Sequence, residues 1–98
     1  DLPAAIRKFG EQDKIFFVHF RDVRGTPEKF VETFHDEGKT DMLACMRAYR
    51  EIGFNGVCRP DHVPTMEGDV NDRPGYSSIG RLFAIGYLKG LREAVYAE

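Results

Sequence analysis

At 98 residues the chain makes one ordinary domain at most. A net charge of −2 offers no basic footprint, which argues against nucleic acid as the main partner. No apolar run approaches the roughly 20 residues needed to span a bilayer, and no stretch reads as a signal peptide. Cys45 and Cys58 form no C-x-x-C pair, so they are expected to stay reduced in a cytoplasmic protein.

The chain opens at Asp1-Leu-Pro, without an initiator methionine, at what reads as the cap of a short helix. Pro3 suits the first turn, Ile6 and Phe9 supply apolar positions, and Gly10 supplies a stop. Such a beginning suits a segment of something larger. Residues 14–22 then read as a strand. Ile15-Phe-Phe-Val18 is a continuous apolar run, the mark of a strand covered on both faces. Alternation puts Ile15, Phe17, His19 and Arg21 on one face, and Phe16, Val18, Phe20 and Asp22 on the other. Residues 23–39 contain Gly25, Pro27 and Gly38 and are too polar for core, although 30–34 can form a short extended arm. A connection this long in a compact domain is usually functional.

Thr40 or Asp41 caps a second helix whose apolar positions Met42, Cys45, Met46, Tyr49 and Ile52 share one face, with Gly53 as its stop. A turn at Asn55-Gly56 leads into a second strand over 57–61, where Pro60 signals that ladder pairing is ending. A second long loop, 63–76, precedes a closing helix capped by Ser77 or Ser78 and running to Tyr96. Its expected buried stripe is Ile79, Leu82, Phe83, Tyr87, Leu91 and Val95. Gly80, Gly86 and Gly90 each cost about 1 kcal/mol relative to alanine in a helix interior, which predicts close packing where they lie.

The order is helix, strand, helix, strand, helix, with long loops only after the strands. Alternating βα units imply an α/β fold with a parallel sheet and right-handed crossovers. Two strands alone leave both sheet edges open. Residues 1–98 therefore read as one segment of a larger domain, about a quarter of a (β/α)8 TIM barrel, with outer helices and with the post-strand loops on the catalytic face.

The most informative stretch is Cys58-Arg-Pro-Asp-His-Val-Pro-Thr65, which sets a carboxylate beside an imidazole where a strand breaks into a loop. Asp61, at the end of an apolar strand, needs a cation, a hydrogen-bond network or a helix N-terminus, unless it merely starts a turn. His19 on the earlier strand is either a satisfied core histidine or a second ligand. Together they suit part of a divalent site for Mn²⁺, Fe²⁺ or Mg²⁺ better than a closed structural zinc site. His62 is the natural acid or base, turning to Asp61's side only if the strand has ended. Tyr76 either donates a phenolic proton or anchors its loop. Arg21 can grip a substrate carboxylate or form a surface ion pair. Arg59 can pair with Asp61, Cys58 reads as a packed thiol, and His35 and Asp36 read as solvated loop residues.

Several stretches together resemble the C-terminal part of the D-mannonate dehydratase family. They are Phe17-Val-His-Phe-Arg-Asp-Val23, Phe34-His-Asp-Glu-Gly38, Asp41-Met-Leu43, Arg59-Pro-Asp-His-Val-Pro64 and Gly75-Tyr-Ser-Ser-Ile-Gly-Arg-Leu-Phe-Ala-Ile-Gly-Tyr87. The resemblance runs in order through essentially the whole chain. It implies a xylose-isomerase-like barrel that converts D-mannonate to 2-keto-3-deoxy-D-gluconate and water in hexuronate breakdown, with Mn²⁺ or Fe²⁺ as cofactor. It also implies that His19 and Asp61 are metal ligands and that His62 and Tyr76 are the acid/base pair. The family's other ligands, a histidine and a cysteine, lie upstream of this segment, and neither Cys45 nor Cys58 matches that cysteine. The parent protein is expected to self-associate, and the segment alone to be inactive. The alternatives are a related barrel isomerase or epimerase acting on a sugar, and a segment that serves only as a structural or assembly module.

Overall fold

The computed structural model describes residues 1–70 and 72–98. Helix α1, Leu2–Gly10, starts as its sequence dictates: Asp1 accepts from the Ala4 amide at 3.3 Å, and proline occupies the first turn. Gly10 is not the stop but the last helical residue. The chain reverses three residues later at Asp13, whose φ is 54°, and the missing Cβ of Gly10 leaves space for Ile52.

Strand β1, Phe17–Phe20, pairs in parallel with β4, Val57–Pro60, in the register Phe17↔Val57 to Phe20↔Pro60. One more bond, from the Asp61 amide to the Phe20 carbonyl at 3.1 Å, carries the ladder just past Pro60. The expectation of a strand covered on both faces is not met within this chain. Val18 and Phe20 are buried among Ile6, Met42, Cys45, Met46, Ala48, Leu88 and Val95, whereas Phe17 is 49% and Val57 59% exposed on the opposite face. Burying one such aromatic contributes roughly 1.5–3 kcal/mol, so the helix-facing side holds the sheet in place. The other side carries His19 and Arg59, which the register sets opposite one another.

Between β1 and the next helix, the polar connection holds more order than an extended arm. Strand β2, Val23–Gly25, and β3, Phe30–Glu32, form an antiparallel hairpin with Val23 opposite Glu32. Its turn is closed by reciprocal backbone bonds between Thr26 and Lys29 at 2.9 and 3.1 Å. Beyond it, Phe34 meets Phe83 edge to face at 5.3 Å, which docks the connection on the closing helix.

Helix α2, Met42–Glu51, is capped by Asp41, which accepts from the Ala44 amide at 2.9 Å. It ends into Gly53, whose φ of 68° suits a residue without a Cβ. Helix α3, Ser78–Tyr96, has Ser77 at its N-cap, but that hydroxyl makes no capping bond. Asp69, ten residues upstream of Ile79, does the capping instead. Its carboxylate accepts from the amides of Ile79 at 2.7 Å, Gly80 at 3.1 Å and Met66 at 2.9 Å. Burial alone would raise the Asp69 carboxyl, but these three donors outweigh it and hold the group below its ordinary range. The 63–76 loop is thus tied to α3 by a charge-assisted cap that weakens only as pH falls through and below the usual carboxylate range.

The buried stripe of α3 matches the expected one in its second half, where Val95 is buried and Tyr87 and Leu91 pack against the core, but not in its first. Gly80, Ala84, Leu88 and Val95 are buried, while Leu82 is 68% exposed and Ile79 and Phe83 are also exposed. The helix approaches the loop through its smallest residues: a Cβ on Gly80 would stand 2.6 Å from the Pro64 carbonyl oxygen. Gly86 and Gly90 meet nothing within 4 Å, so the predicted close packing holds at Gly80 alone. Gly80→Ala in the full-length protein is expected to cost about 1–3 kcal/mol as overpacking against fixed backbone. A thermal melt unchanged from wild type would contradict this contact. No helix among the described residues is long and apolar enough to cross a membrane.

Candidate active site

The C-terminal ends of β1 and β4 converge on one cluster. Asp61 follows β4 on the face shared with His19, and its carboxylate is only 12% exposed. Among the described residues, its ion-pair partners are His19 Nδ1 and His62 Nδ1, each 3.9 Å from Asp61 Oδ2. Arg59 is not among them. Both basic neighbours stand beyond hydrogen-bond distance of this nearly buried carboxylate, which has the chemistry to hold a divalent cation. His19 presents its ring edge-to-face to Phe17 at 5.0 Å and keeps 54% of its side chain open. It is therefore not a buried core histidine. The described residues contain no group of three or more histidine, cysteine, aspartate or glutamate side chains able to hold a metal. His19 and Asp61 suit half of such a site.

Because β4 stops at Pro60, His62 is free of strand alternation and lies on Asp61's side. Its Nε2 is 2.8 Å from the Tyr76 hydroxyl, with the two rings edge to face at 5.1 Å. Its Nδ1 is 2.8 Å from Arg21 Nη1 and 3.3 Å from Glu32 Oε1. Arg21 Nη1 in turn donates to Glu32 Oε1 at 2.7 Å. The loop brings Tyr76 here because Asp69 ties it to α3 and because the Val63 amide donates to the Gly75 carbonyl at 3.2 Å. A histidine and a tyrosine in hydrogen-bond contact thus sit beside a nearly buried carboxylate, groups of the type that exchange protons.

Two participants escaped sequence reading. Glu32 enters the cluster from β3, and only the hairpin pairing, invisible without its short partner strand, brings it there. His35 was read as a solvated loop residue, but it is completely buried. It donates from Nε2 to the Phe20 carbonyl at 2.5 Å and stacks on the Phe20 ring at 6.3 Å. That carbonyl therefore receives both His35 and the Asp61 amide, which locks the end of β1 from which His19 and Arg21 project. Asp36 is exposed as expected. Asp22, also buried, accepts from the Val23 amide at 2.8 Å and the Thr40 amide at 3.2 Å, joining the strand end to the entry of α2.

Burial pushes the thiols of both Cys45 and Cys58 up to about 11. For Cys45 the carboxylates of Asp41 and Asp22 add to that effect. Both are packed thiols, remote from the role of nucleophile. A rise from 9.0 to about 11 lowers the thiolate fraction near neutral pH by roughly a hundredfold. Alkylation of the folded full-length protein is accordingly expected to leave these two cysteines unmodified long after free thiol is consumed. Rapid labelling of either at neutral pH, read by peptide mass, would contradict their packing.

Comparison with known proteins identifies the relatives of this chain. The family model for D-mannonate dehydratase (UxuA) matches residues 1–98. Mannonate dehydratase 2 of Halalkalibacterium halodurans is 43% identical over 98 residues, covering 97% of this chain and 28% of that protein. The mannonate dehydratase of Thermotoga maritima is 39% identical, covering 97% of this chain and 27% of that protein. Among solved structures, mannonate dehydratase from Streptococcus suis serotype 2 superposes with a TM-score of 0.89 at 32% identity, over 97% of this chain and 28% of that one. The chain spans just over a quarter of the length of the relatives it matches.

Proposed function

The chain belongs to the D-mannonate dehydratase family, and we propose that it forms the last quarter of a (β/α)8 barrel that dehydrates D-mannonate to 2-keto-3-deoxy-D-gluconate. The single observation that carries this reading is the hydrogen-bonded His62–Tyr76 pair beside the Asp61 carboxylate. In this reading His19 and Asp61 hold a divalent cation, Mn²⁺ or Fe²⁺, together with ligands contributed from outside these 98 residues. When bound, such a cation stabilises the negative charge that develops on the substrate carboxylate as the neighbouring carbon loses its proton.

The chain's own groups do the rest. His62 and Tyr76 carry the proton transfers at C2 and at the departing C3 hydroxyl, which leaves as water. Arg21 orients the substrate carboxylate: its Nη1 is engaged by Glu32 and His62, and a guanidinium fork has further N–H donors to offer. The unpaired, packed thiols suit a reducing cytoplasmic setting. Because the segment carries only two of the ligands, it is inactive alone. Incubating the full-length protein with D-mannonate and Mn²⁺ tests the reading. Accumulation of 2-keto-3-deoxygluconate is expected. Isomerisation of an aldose, with no dehydration of mannonate, would overturn it in favour of a related barrel isomerase.

A further inference from the structure

We propose that His35 is a positioning residue for the metal site proposed above: through the Phe20 carbonyl it sets where Asp61 stands relative to His19. The starting point is a cost. The His35 ring is completely buried, and its Nδ1 meets no hydrogen-bond partner among the described residues. A buried acceptor left unmatched is unfavourable, and an apolar ring would fill the same space without that penalty. What histidine adds is Nε2, 2.5 Å from the Phe20 carbonyl oxygen. A carbonyl only accepts, so Nε2 carries the hydrogen and donates it. The ring also stacks on Phe20 at an interplanar angle of 14°, and its neighbour Phe34 is seated on Phe83 of α3. The donor is thus fixed from two sides.

The Phe20 carbonyl joins the two strand ends that carry the ligands. Pro60 stands opposite Phe20 in the ladder and has no N–H to offer. The next amide along the chain is that of Asp61, and it donates to the same Phe20 oxygen at 3.1 Å. That oxygen has two lone pairs, one for each donor. His19 is the residue before Phe20, so turning this carbonyl moves the backbone beside one ligand and the amide of the other. His19 Nδ1 and Asp61 Oδ2 stand 3.9 Å apart, and a small turn of the shared carbonyl changes that gap. Metal coordination accepts only a narrow range of ligand distances, and groups that orient ligands are typically worth about 10–100-fold in affinity. His35 hydrogen-bonds to neither ligand side chain and acts through the backbone between them.

Two variants of the full-length protein separate this role from plain packing. His35→Leu keeps an apolar side chain and loses the donor, whereas the side-chain amide of His35→Gln can still donate to the Phe20 carbonyl. The first readout needs no metal: hydrogen exchange of the Asp61 amide in metal-free protein, followed at residue level by mass spectrometry. His35→Leu should speed that exchange about 3–10-fold, the effect of loosening one shared hydrogen bond, while the other β1–β4 amides change less. The second readout is Mn²⁺ affinity by titration calorimetry, expected to fall about 10–100-fold in His35→Leu and to recover in His35→Gln. Unchanged Asp61 exchange or unchanged Mn²⁺ affinity in His35→Leu would overturn the proposal. So would faster exchange spread evenly over the whole sheet, or a loss in His35→Gln as large as in His35→Leu. A wild type that binds no Mn²⁺ overturns the metal reading itself, an outcome the exchange data keep distinct from failure of the His35 link.

Discussion

Asp61→Ala in the full-length protein is expected to lose stoichiometric Mn²⁺ and to turn over mannonate about a thousandfold more slowly, or worse. The carboxylate is held at the end of β4 by the last ladder bond, is 12% exposed and has its basic neighbours at 3.9 Å. Removing it deletes one of the two residues proposed above as metal ligands. Loss of several kcal/mol of charge stabilisation corresponds to about three decades in rate. The variant should still fold, because the Asp61 side chain caps no helix and joins no part of the apolar core. Metal analysis of the purified variant beside its assay checks both halves of the prediction. Retained stoichiometric metal with retained activity would remove Asp61 from the site.

The second large effect should separate proton transfer from metal binding. His62→Gln keeps side-chain bulk and a hydrogen-bonding group near Tyr76, but it lacks an imidazole. A drop of about 10²–10⁴-fold in kcat is expected, the range for a lost general acid or base, with Mn²⁺ content and thermal midpoint close to wild type. If His62 were instead a metal ligand, metal content would fall together with rate. If it were only a packing residue, the midpoint would fall and kcat would not. The ring's hydrogen-bond neighbours are Arg21, Glu32 and Tyr76, so what the substitution gives up, besides the edge-to-face contact with Tyr76, is polar.

The residues that were legible in the sequence are those whose position follows from local rules. Alternation along 14–22 set His19 and Arg21 on one face and Val18 and Phe20 on the other, and the burial of Val18 and Phe20 agrees. Asp41 as a cap, Gly53 as a stop and Pro60 as the end of pairing follow from dihedral and donor arithmetic that needs no tertiary contact. What escaped depends on contacts between distant segments. Glu32 reaches His62 only because β3 folds back on β2, a pair of three-residue strands too short and too polar to show an alternating pattern. His35 lies in a polar stretch, and its burial comes from a carbonyl fifteen residues earlier that has a second lone pair to satisfy.

Helix α3 shows the same division. Its extent was readable from the apolar period and its serines, and so were Tyr87, Leu91 and Val95 on its buried side, but the contact of its first half was not. A period analysis weights large side chains, and here the contact is made by Gly80 and Ala84, which have almost none. The capping of α3 by Asp69 was unreadable for a related reason. The carboxylate is adjacent to the helix in space and ten residues from Ile79 in sequence. Both features serve the site, since together they fix the loop that brings Tyr76 to His62.

The central claim is that this chain supplies the His19–Asp61 half of a divalent metal site next to the His62–Tyr76 pair. It is tested most directly by anomalous diffraction at the manganese edge on crystals of the full-length protein grown with Mn²⁺. The expected result is one strong peak per chain at coordination distance from a His19 nitrogen and an Asp61 oxygen, with its remaining protein ligands drawn from outside these 98 residues. A fully occupied manganese bound elsewhere, with His19 and Asp61 both out of its reach, would contradict the account.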